Sequence, residues 1–78
     1  MKEETVIVDG KEFKVHELLA VEEDEILDKT YTKNSDRTKE YVMKCANISE
    51  EDYKKLTSKE RLAIVKAMNK LNGSENFQ

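Results

Sequence analysis

Alternating apolar and charged residues flank Asp9-Gly10 near the start of the chain. The dipeptide supplies the positive-φ positions that a tight turn needs, so the pattern predicts a β-hairpin over 5–15. A two-residue turn would pair Val6 with Phe13. Its apolar face would then hold Val6, Val8, Phe13 and Val15. A three-residue turn with a glycine bulge would instead bring Ile7 to the side of Phe13, and in either register the apolar face needs a cover because a lone hairpin is marginal in water.

Two further segments carry apolar residues at helical spacing. In the first, 18–33, the acids at 22–25 favour the positive end of a helix dipole. Its apolar side would hold Leu19, Ile26, Leu27 and Tyr31. The second, 36–46, follows a polar turn in which Ser35 can cap the helix. Its apolar stripe is Tyr41, Val42, Cys45 and Ala46. The pattern predicts a helix in each segment.

Two helix starts follow each other within about ten residues in the second half of the chain. Ser49 and Thr57 each precede an acid by three positions, which is the arrangement of a capping box. The acids are Asp52 and Glu60. A glutamate is the better reciprocal partner of a cap, so Thr57 is the stronger of the two signals.

Apolar residues and a glycine define the remaining helix boundaries. Ile48 and Tyr53 are spaced to pack against each other as a hydrophobic staple at the first of these starts. Gly73 follows the last apolar residue and is a typical helix terminator. The pattern predicts a short helix over 49–56 and a longer one over 58–72.

The last predicted helix has a wide apolar face. At about 100° per residue, its apolar residues spread over roughly 200°. They are Ala63, Ile64, Val65, Ala67, Met68 and Leu71. Such an arc predicts contact on two sides, either with two elements of the same fold or with another chain.

Six residues are candidates for binding a protein partner: Tyr53, Leu62, Ile64, Val65, Met68 and Leu71. A methionine suits such a surface because its side chain adapts to varied partners. The alternative for the four candidates between 64 and 71 is that they are simply core residues, which a chain of this size favours. Leu62 lies in the polar sector of its helix, where it is either an ordinary exposed leucine or a partner anchor.

Length and composition predict a small single domain. The 78 residues are 37% hydrophobic and 40% charged, which gives a small core under a highly charged surface. A chain of this size buries only about 60% of its unfolded surface, and a homo-oligomer would add burial. We predict an α+β domain over 1–73, in which an N-terminal hairpin is followed by three to four short helices forming a small bundle, and a flexible tail over 74–78.

Cysteine usage and hydropathy favour a cytoplasmic protein. The single Cys45 cannot form an internal disulfide, which fits a reducing compartment. The first charged residues precede no apolar run, so no signal peptide is expected. No segment approaches the ~18 apolar residues of a membrane span.

The net charge of −3 conceals an asymmetry along the chain. Residues 1–28 hold three basic and ten acidic side chains, a net charge of −7, whereas residues 29–78 hold eleven basic and seven acidic ones, a net charge of +4. This division could let copies associate head to tail or let one end meet a basic partner. Alternatively, the two parts neutralise each other within the fold.

Residues that carry most enzymatic and metal chemistry are scarce. His16 and Cys45 are single, so no Cys/His metal set can form, and a Cys–His nucleophile would lack an orienting group. The acids at 22–25 do not have the spacing of a calcium loop. Gly10 and Gly73 are too few for a phosphate-cradling loop. We predict no catalytic, cofactor-binding or metal site.

A helix-turn-helix DNA-binding regulator is the alternative class of function. The helices predicted over 49–56 and 58–72 lie in the positive part of the chain and are closely joined. The second of them carries Lys59, Arg61, Lys66 and Lys70. It lacks the Arg/Asn/Gln cluster that reads base edges, and the whole chain is acidic, so nucleic acid is not the expected partner.

Both ends of the chain resemble a known family. The relevant segments are Val6-Ile-Val-Asp-Gly-Lys-Glu-Phe-Lys-Val15, His16-Glu-Leu-Leu-Ala20, Ile48-Ser-Glu-Glu-Asp-Tyr-Lys-Lys-Leu56 and Leu62-Ala-Ile-Val-Lys-Ala-Met-Asn-Lys-Leu-Asn-Gly73. In this order the chain resembles the small tail assembly chaperones of long-tailed bacteriophages and prophages. The resemblance covers about two-thirds of the chain.

The resemblance implies a non-enzymatic scaffold in the cytoplasm of an infected cell. Such proteins bind the tape-measure protein, shield its long apolar helices and help tail-tube subunits to assemble around it. We therefore expect a protein-binding assembly chaperone without a cofactor. The family offers no binding motif to transfer residue by residue, so the six candidates rest on the apolar pattern alone.

Overall fold

Over the described part of the chain, the fold is an antiparallel hairpin followed by four helices. The computed structural model describes residues 2–29 and 33–73, without the side chain of Asn34. Its elements are β1 (Glu3–Val8), β2 (Lys11–His16), α1 (Ala20–Leu27), α2 (Asn34–Ala46), α3 (Glu50–Lys54) and α4 (Ser58–Asn72). The predicted α+β class is confirmed. The expected tail over 74–78 lies outside the described residues.

The hairpin adopts the register of the two-residue turn. Val6 pairs with Phe13, and Asp9 and Gly10 have φ values of 49° and 83°, as a primed turn requires. One face is therefore apolar and covered, with Val8, Phe13 and Val15 buried and Val6 partly buried. Ile7 points the other way and is 67% exposed, so the glycine-bulge register is not the one adopted.

Helix α4 forms the centre of the fold. It packs on both strands and on α2, while α1 and α3 pack on α2. The main core is built from eight buried residues: Phe13, Val15, Val42, Cys45, Ala46, Ile64, Ala67 and Met68. The wide apolar arc of α4 thus has an explanation within one chain, since the hairpin covers one side of the helix and α2 another.

The two predicted helix starts of the second half are both present. Thr57 Oγ1 accepts a hydrogen bond from the Glu60 amide at 3.1 Å, and Glu60 Oε1 accepts one from the Thr57 amide at 2.8 Å, so the capping box is complete. Ser49 Oγ accepts from the Asp52 amide at 3.2 Å. Gly73 ends α4 at φ 61°, in the left-handed region.

The boundaries of the first two helices differ from prediction. Helix α1 ends at Leu27 instead of reaching residue 33. Its apolar side is smaller than predicted, because Ile26 is buried but Leu19 and Leu27 are 41% and 63% exposed. Tyr31 lies outside the described residues. Helix α2 begins at Asn34 rather than 36, so Ser35 is helical and not the cap.

The third helix is shorter than its predicted span of 49–56. Its helical residues are Glu50–Lys54, with Ser49 as the N-terminal cap. Leu56 follows the last helical turn and packs against the core. The expected staple residues, Ile48 and Tyr53, also contact the core cluster.

Polar side chains tie the hairpin exit to both ends of the helical part. Asn72 Oδ1, at the end of α4, accepts from the Leu18 amide at 2.8 Å. Glu22, in α1, accepts from the Leu19 amide at 2.9 Å and lies 3.1 Å from His16 Nε2. His16 thus helps to fix the start of α1.

Within the described part of the chain, no helix combines the length and the apolar character needed to cross a lipid bilayer.

Candidate protein-binding groove

Two of the six candidate binding residues belong to the core. Ile64 and Met68 have no exposed surface and pack in the main cluster between the hairpin and α2. A side chain without exposed surface cannot contact a partner while the fold is intact. The core alternative that the sequence left open is therefore the one adopted for these two residues.

The other four candidates retain solvent contact. Val65, Leu71 and Tyr53 are partly buried and pack at the edge of the core. Leu62 is 55% exposed, which agrees with its predicted place in the polar sector of α4. These four can contribute to a binding surface without unfolding.

Tyr53 lines a groove where α2, α3 and the start of α4 meet. The groove has a volume of about 290 Å³ and is open to solvent. It is lined by Lys39, Tyr53, Lys54, Leu56, Thr57, Ser58 and Arg61. Tyr53 and Leu56 are partly buried and contact the core, so they form an apolar floor beneath a polar rim.

The rim of the groove carries positive charge. Lys39 Nζ donates to Glu50 Oε2 at 2.7 Å, and this hydrogen bond raises the pKa of Lys39 and lowers that of Glu50. Arg61 Nη1 donates to the neutral hydroxyl of Tyr53 at 3.4 Å, a long contact. The lysine of α3, Lys54, completes the set of three cations.

Two of the candidate binding residues, Leu62 and Val65, lie on the face of α4 that borders the groove. Residues four apart lie on the same side of a helix, so Leu62 follows Ser58 and Val65 follows Arg61. Both Ser58 and Arg61 line the groove. The surface available to a partner therefore runs from Tyr53 along one side of α4, and it includes three of the six predicted residues.

A second hollow, of about 310 Å³, lies between α1 and the end of α2. Its lining includes Glu22, Glu40 and Lys44. These charges are engaged inside the fold: Glu40 pairs with Lys29 at 2.8 Å, and Lys44 pairs with Glu25. The two hollows thus differ in charge, because the second is balanced internally.

The charge asymmetry of the sequence is partly neutralised within the fold. Glu4 pairs with Lys70 at 2.8 Å and Asp9 with Lys59 at 3.1 Å, so acids of the hairpin meet bases of α4. The Glu25–Lys44 pair likewise joins the first 28 residues to the later part. Two of the four basic residues on the would-be DNA-reading helix are therefore engaged by carboxylates.

The single cysteine thiol is enclosed in the core. Cys45 is fully buried, and burial raises the pKa of its thiol to about 12, so the thiol is protonated at neutral pH. Among the described residues, no three His, Cys, Asp or Glu side chains are grouped so that they could hold a metal ion.

Sequence reasoning found Tyr53 but missed the rest of the groove. Lys39 lies on α2 and Arg61 on α4, and only tertiary packing brings them together.

No protein-family model matches the chain, and no curated protein or solved structure is significantly similar to it. The groove is therefore interpreted from its own geometry.

Proposed function

We propose that this chain is a protein-binding module without enzymatic activity, and specifically an assembly chaperone that holds an apolar helix of a partner protein. The observation that carries the proposal is the groove, in which a partly buried apolar floor lies beside a helix face bearing the exposed Leu62. A partner helix laid along such a surface would bury its own apolar stripe, as in other helix-in-groove complexes.

The binding residues of this proposal are fewer than those predicted from sequence. Tyr53 forms the floor, and Leu62 and Val65 extend it along α4. Leu71 lies about 2.5 turns beyond Leu62, on the other side of α4 and at the edge of the core, so it is not part of this surface. Ile64 and Met68 support this surface from behind by holding α4 on the hairpin and α2.

The identity of the partner rests on the resemblance to phage tail assembly chaperones. The order of hairpin, acidic first helix and capped closing helix supports it. A tape-measure-type or tail-tube-type protein is therefore the proposed partner, and the cytoplasm of the infected host is the proposed location. A homo-oligomer would add buried surface to this small domain.

Co-expression tests the proposal directly. Long helical segments of candidate partners encoded near this gene are produced alone and with this chain, and their soluble fraction and co-purification are measured. We expect the chain to raise the soluble fraction and to co-purify. If no segment encoded nearby co-purifies or becomes more soluble, the chaperone proposal is wrong.

A matched pair of substitutions tests the groove in the same assay. Leu62→Asp changes an exposed residue of α4 beside the groove, and Leu27→Asp changes a similarly exposed residue of α1. We expect Leu62→Asp to lose the partner and Leu27→Asp to keep it. Equal binding by both variants would place the interaction elsewhere on the surface.

A further inference from the structure

The groove has a net positive charge. Three of its seven lining side chains are cations and none is a carboxylate. Glu50 pairs with Lys39 at 2.7 Å and has a weaker electrostatic interaction with Lys54. Within the described residues, no carboxylate lies within ion-pair distance of Lys54 or Arg61, and the contact of Arg61 goes to the Tyr53 hydroxyl.

The acid of the first turn of α4 does not reduce this charge. Glu60 is only 9% exposed and is engaged by the Thr57 amide on one oxygen and by Lys11, 3.9 Å away, on the other. Its carboxylate is thus turned towards the hairpin. The positive end of the α4 dipole lies beside Thr57 and Ser58 and favours negative charge in the same place.

The apolar and cationic parts of the groove are interleaved. Tyr53 and Leu56 form the floor, Lys54 lies between them in sequence, and Arg61 reaches over to the Tyr53 hydroxyl. A ligand that matched only the charge would leave this floor exposed. A ligand that matched only the apolar floor would desolvate two cations without a partner, which is unfavourable.

We infer that the groove receives an acidic amphipathic segment of a partner protein, whose carboxylates meet Lys54 and Arg61 and whose apolar side chains cover Tyr53 and Leu56. Arginine is suited to hold a carboxylate with two parallel hydrogen bonds. The inference rests on the proposed protein-binding function and adds to it the charge of the segment that binds.

A pair of designed peptides tests the charge. The first is a fluorescein-labelled 16-residue helix with Leu and Phe on one face and Glu on the other, and the second has Lys in place of every Glu. Binding to the full chain is measured by fluorescence anisotropy at 50, 150 and 400 mM NaCl. We expect the acidic peptide to bind, to weaken as salt screens the contacts, and to bind at least about tenfold more tightly than the basic peptide.

Substitutions locate the contact. We expect Lys54→Glu and Arg61→Glu each to weaken the acidic peptide about tenfold or more, because a charge-assisted contact is replaced by repulsion. Lys14→Glu is the matched control, since it makes the same change at an exposed position of β2, outside the groove and away from the face of α4 that borders it. Arg61→Gln, which only removes the charge, and far-ultraviolet circular dichroism of each variant separate lost binding from lost folding.

Each other result overturns the inference. Equal binding of both peptides would make the groove a purely apolar site, and equal weakening by Lys14→Glu would indicate a diffuse charge effect. Equal affinity for duplex DNA would make it a general polyanion site. If the unliganded chain self-associates and Arg61→Glu abolishes this association, the groove binds the acidic α1 of a second copy.

The proposed function can survive the failure of this inference. If the acidic peptide does not bind but the tape-measure-type segment still becomes soluble on co-expression, the chaperone proposal stands and only the partner chemistry is wrong. If neither occurs, both are wrong.

Discussion

Helices α4 and α1 differ in length and in how much of each is buried. Helix α4 spans Ser58–Asn72, whereas α1 spans Ala20–Leu27. Helix α4 contributes three buried apolar residues, Ile64, Ala67 and Met68. Helix α1 contributes one, Ile26, and leaves Leu27 mostly exposed.

The difference lies in how many independent signals agree. Helix α4 begins at a complete capping box, ends at a left-handed glycine and is covered on two sides. Helix α1 follows Leu19, whose side chain offers no acceptor, and its packing partner among the described elements is α2. The first and last residues of a helix are well defined by the sequence when end signals and burial coincide. A run of acidic residues alone does not define them.

The largest effect that this comparison predicts is in the core of α4. Ile64→Ala removes a fully buried side chain next to the hairpin and α2, so we expect it to lower the free energy of unfolding by about 2–5 kcal/mol. Urea denaturation followed by circular dichroism measures it. Leu62→Ala, at a half-exposed position two residues earlier, should change stability by no more than about 0.5 kcal/mol. A similar cost for both would show that the two faces of α4 do not differ in packing.

Much of the fold could be predicted because its signals are local. Asp9-Gly10 defined the turn, Thr57 and Glu60 defined the start of α4, and Gly73 defined its end. The hairpin register could not be chosen from the sequence, since either alternative leaves an apolar face. Burial against α4 selects the register, because it places Phe13 and Val15 in the core and Ile7 outside.

The candidate site was less accessible to prediction for the same reason. Tyr53 and Leu62 were identified because apolar residues outside the core are visible in a helical pattern. Lys39 and Arg61 were not, since they are distant in sequence and meet only through the packing of α2, α3 and α4. The number of basic residues around the α3–α4 joint was the one available signal, and it was interpreted as a possible DNA-binding feature.

The second-largest predicted effect concerns α2, the helix on which both α1 and α4 pack. Because the pKa of Cys45 is raised to about 12, the folded state keeps its proton at pH values where the unfolded thiol, with a pKa near 8.5, has lost it. Stability from this group is complete below about pH 8.5 and is lost as the pH rises towards 12. At pH 10 we expect a loss of about 2 kcal/mol. Cys45→Ala should lack this component, and identical pH profiles of the two proteins would contradict it.

An effect of intermediate size distinguishes the start of α4 from the start of α1. Thr57→Ala removes the hydroxyl that caps α4, and we expect it to destabilise the whole protein by about 1 kcal/mol. Glu22→Ala removes the contacts to Leu19 and His16 and should act mainly on α1. Native-state hydrogen exchange separates the two outcomes. We expect faster exchange throughout the core for Thr57→Ala, but only within α1 for Glu22→Ala. Acceleration confined to α4 in the first variant would show that its cap is not coupled to global folding.

The smallest effect is the most direct test of why α1 was predicted wrongly. If Leu27 were part of an apolar side that continued to residue 33, Leu27→Ala would create a cavity and cost about 2–5 kcal/mol. The side chain of Leu27 is 63% exposed, and the buried residue of this helix is its neighbour Ile26. We therefore expect Leu27→Ala to change the free energy of unfolding by no more than about 0.5 kcal/mol. Thermal and urea unfolding of the variant measure it, with Ile26→Ala as the buried control on the same helix. A large cost at Leu27 would mean that this helix has a second packing surface. Helices α1 and α4 would then differ only in the amount of apolar surface that each buries.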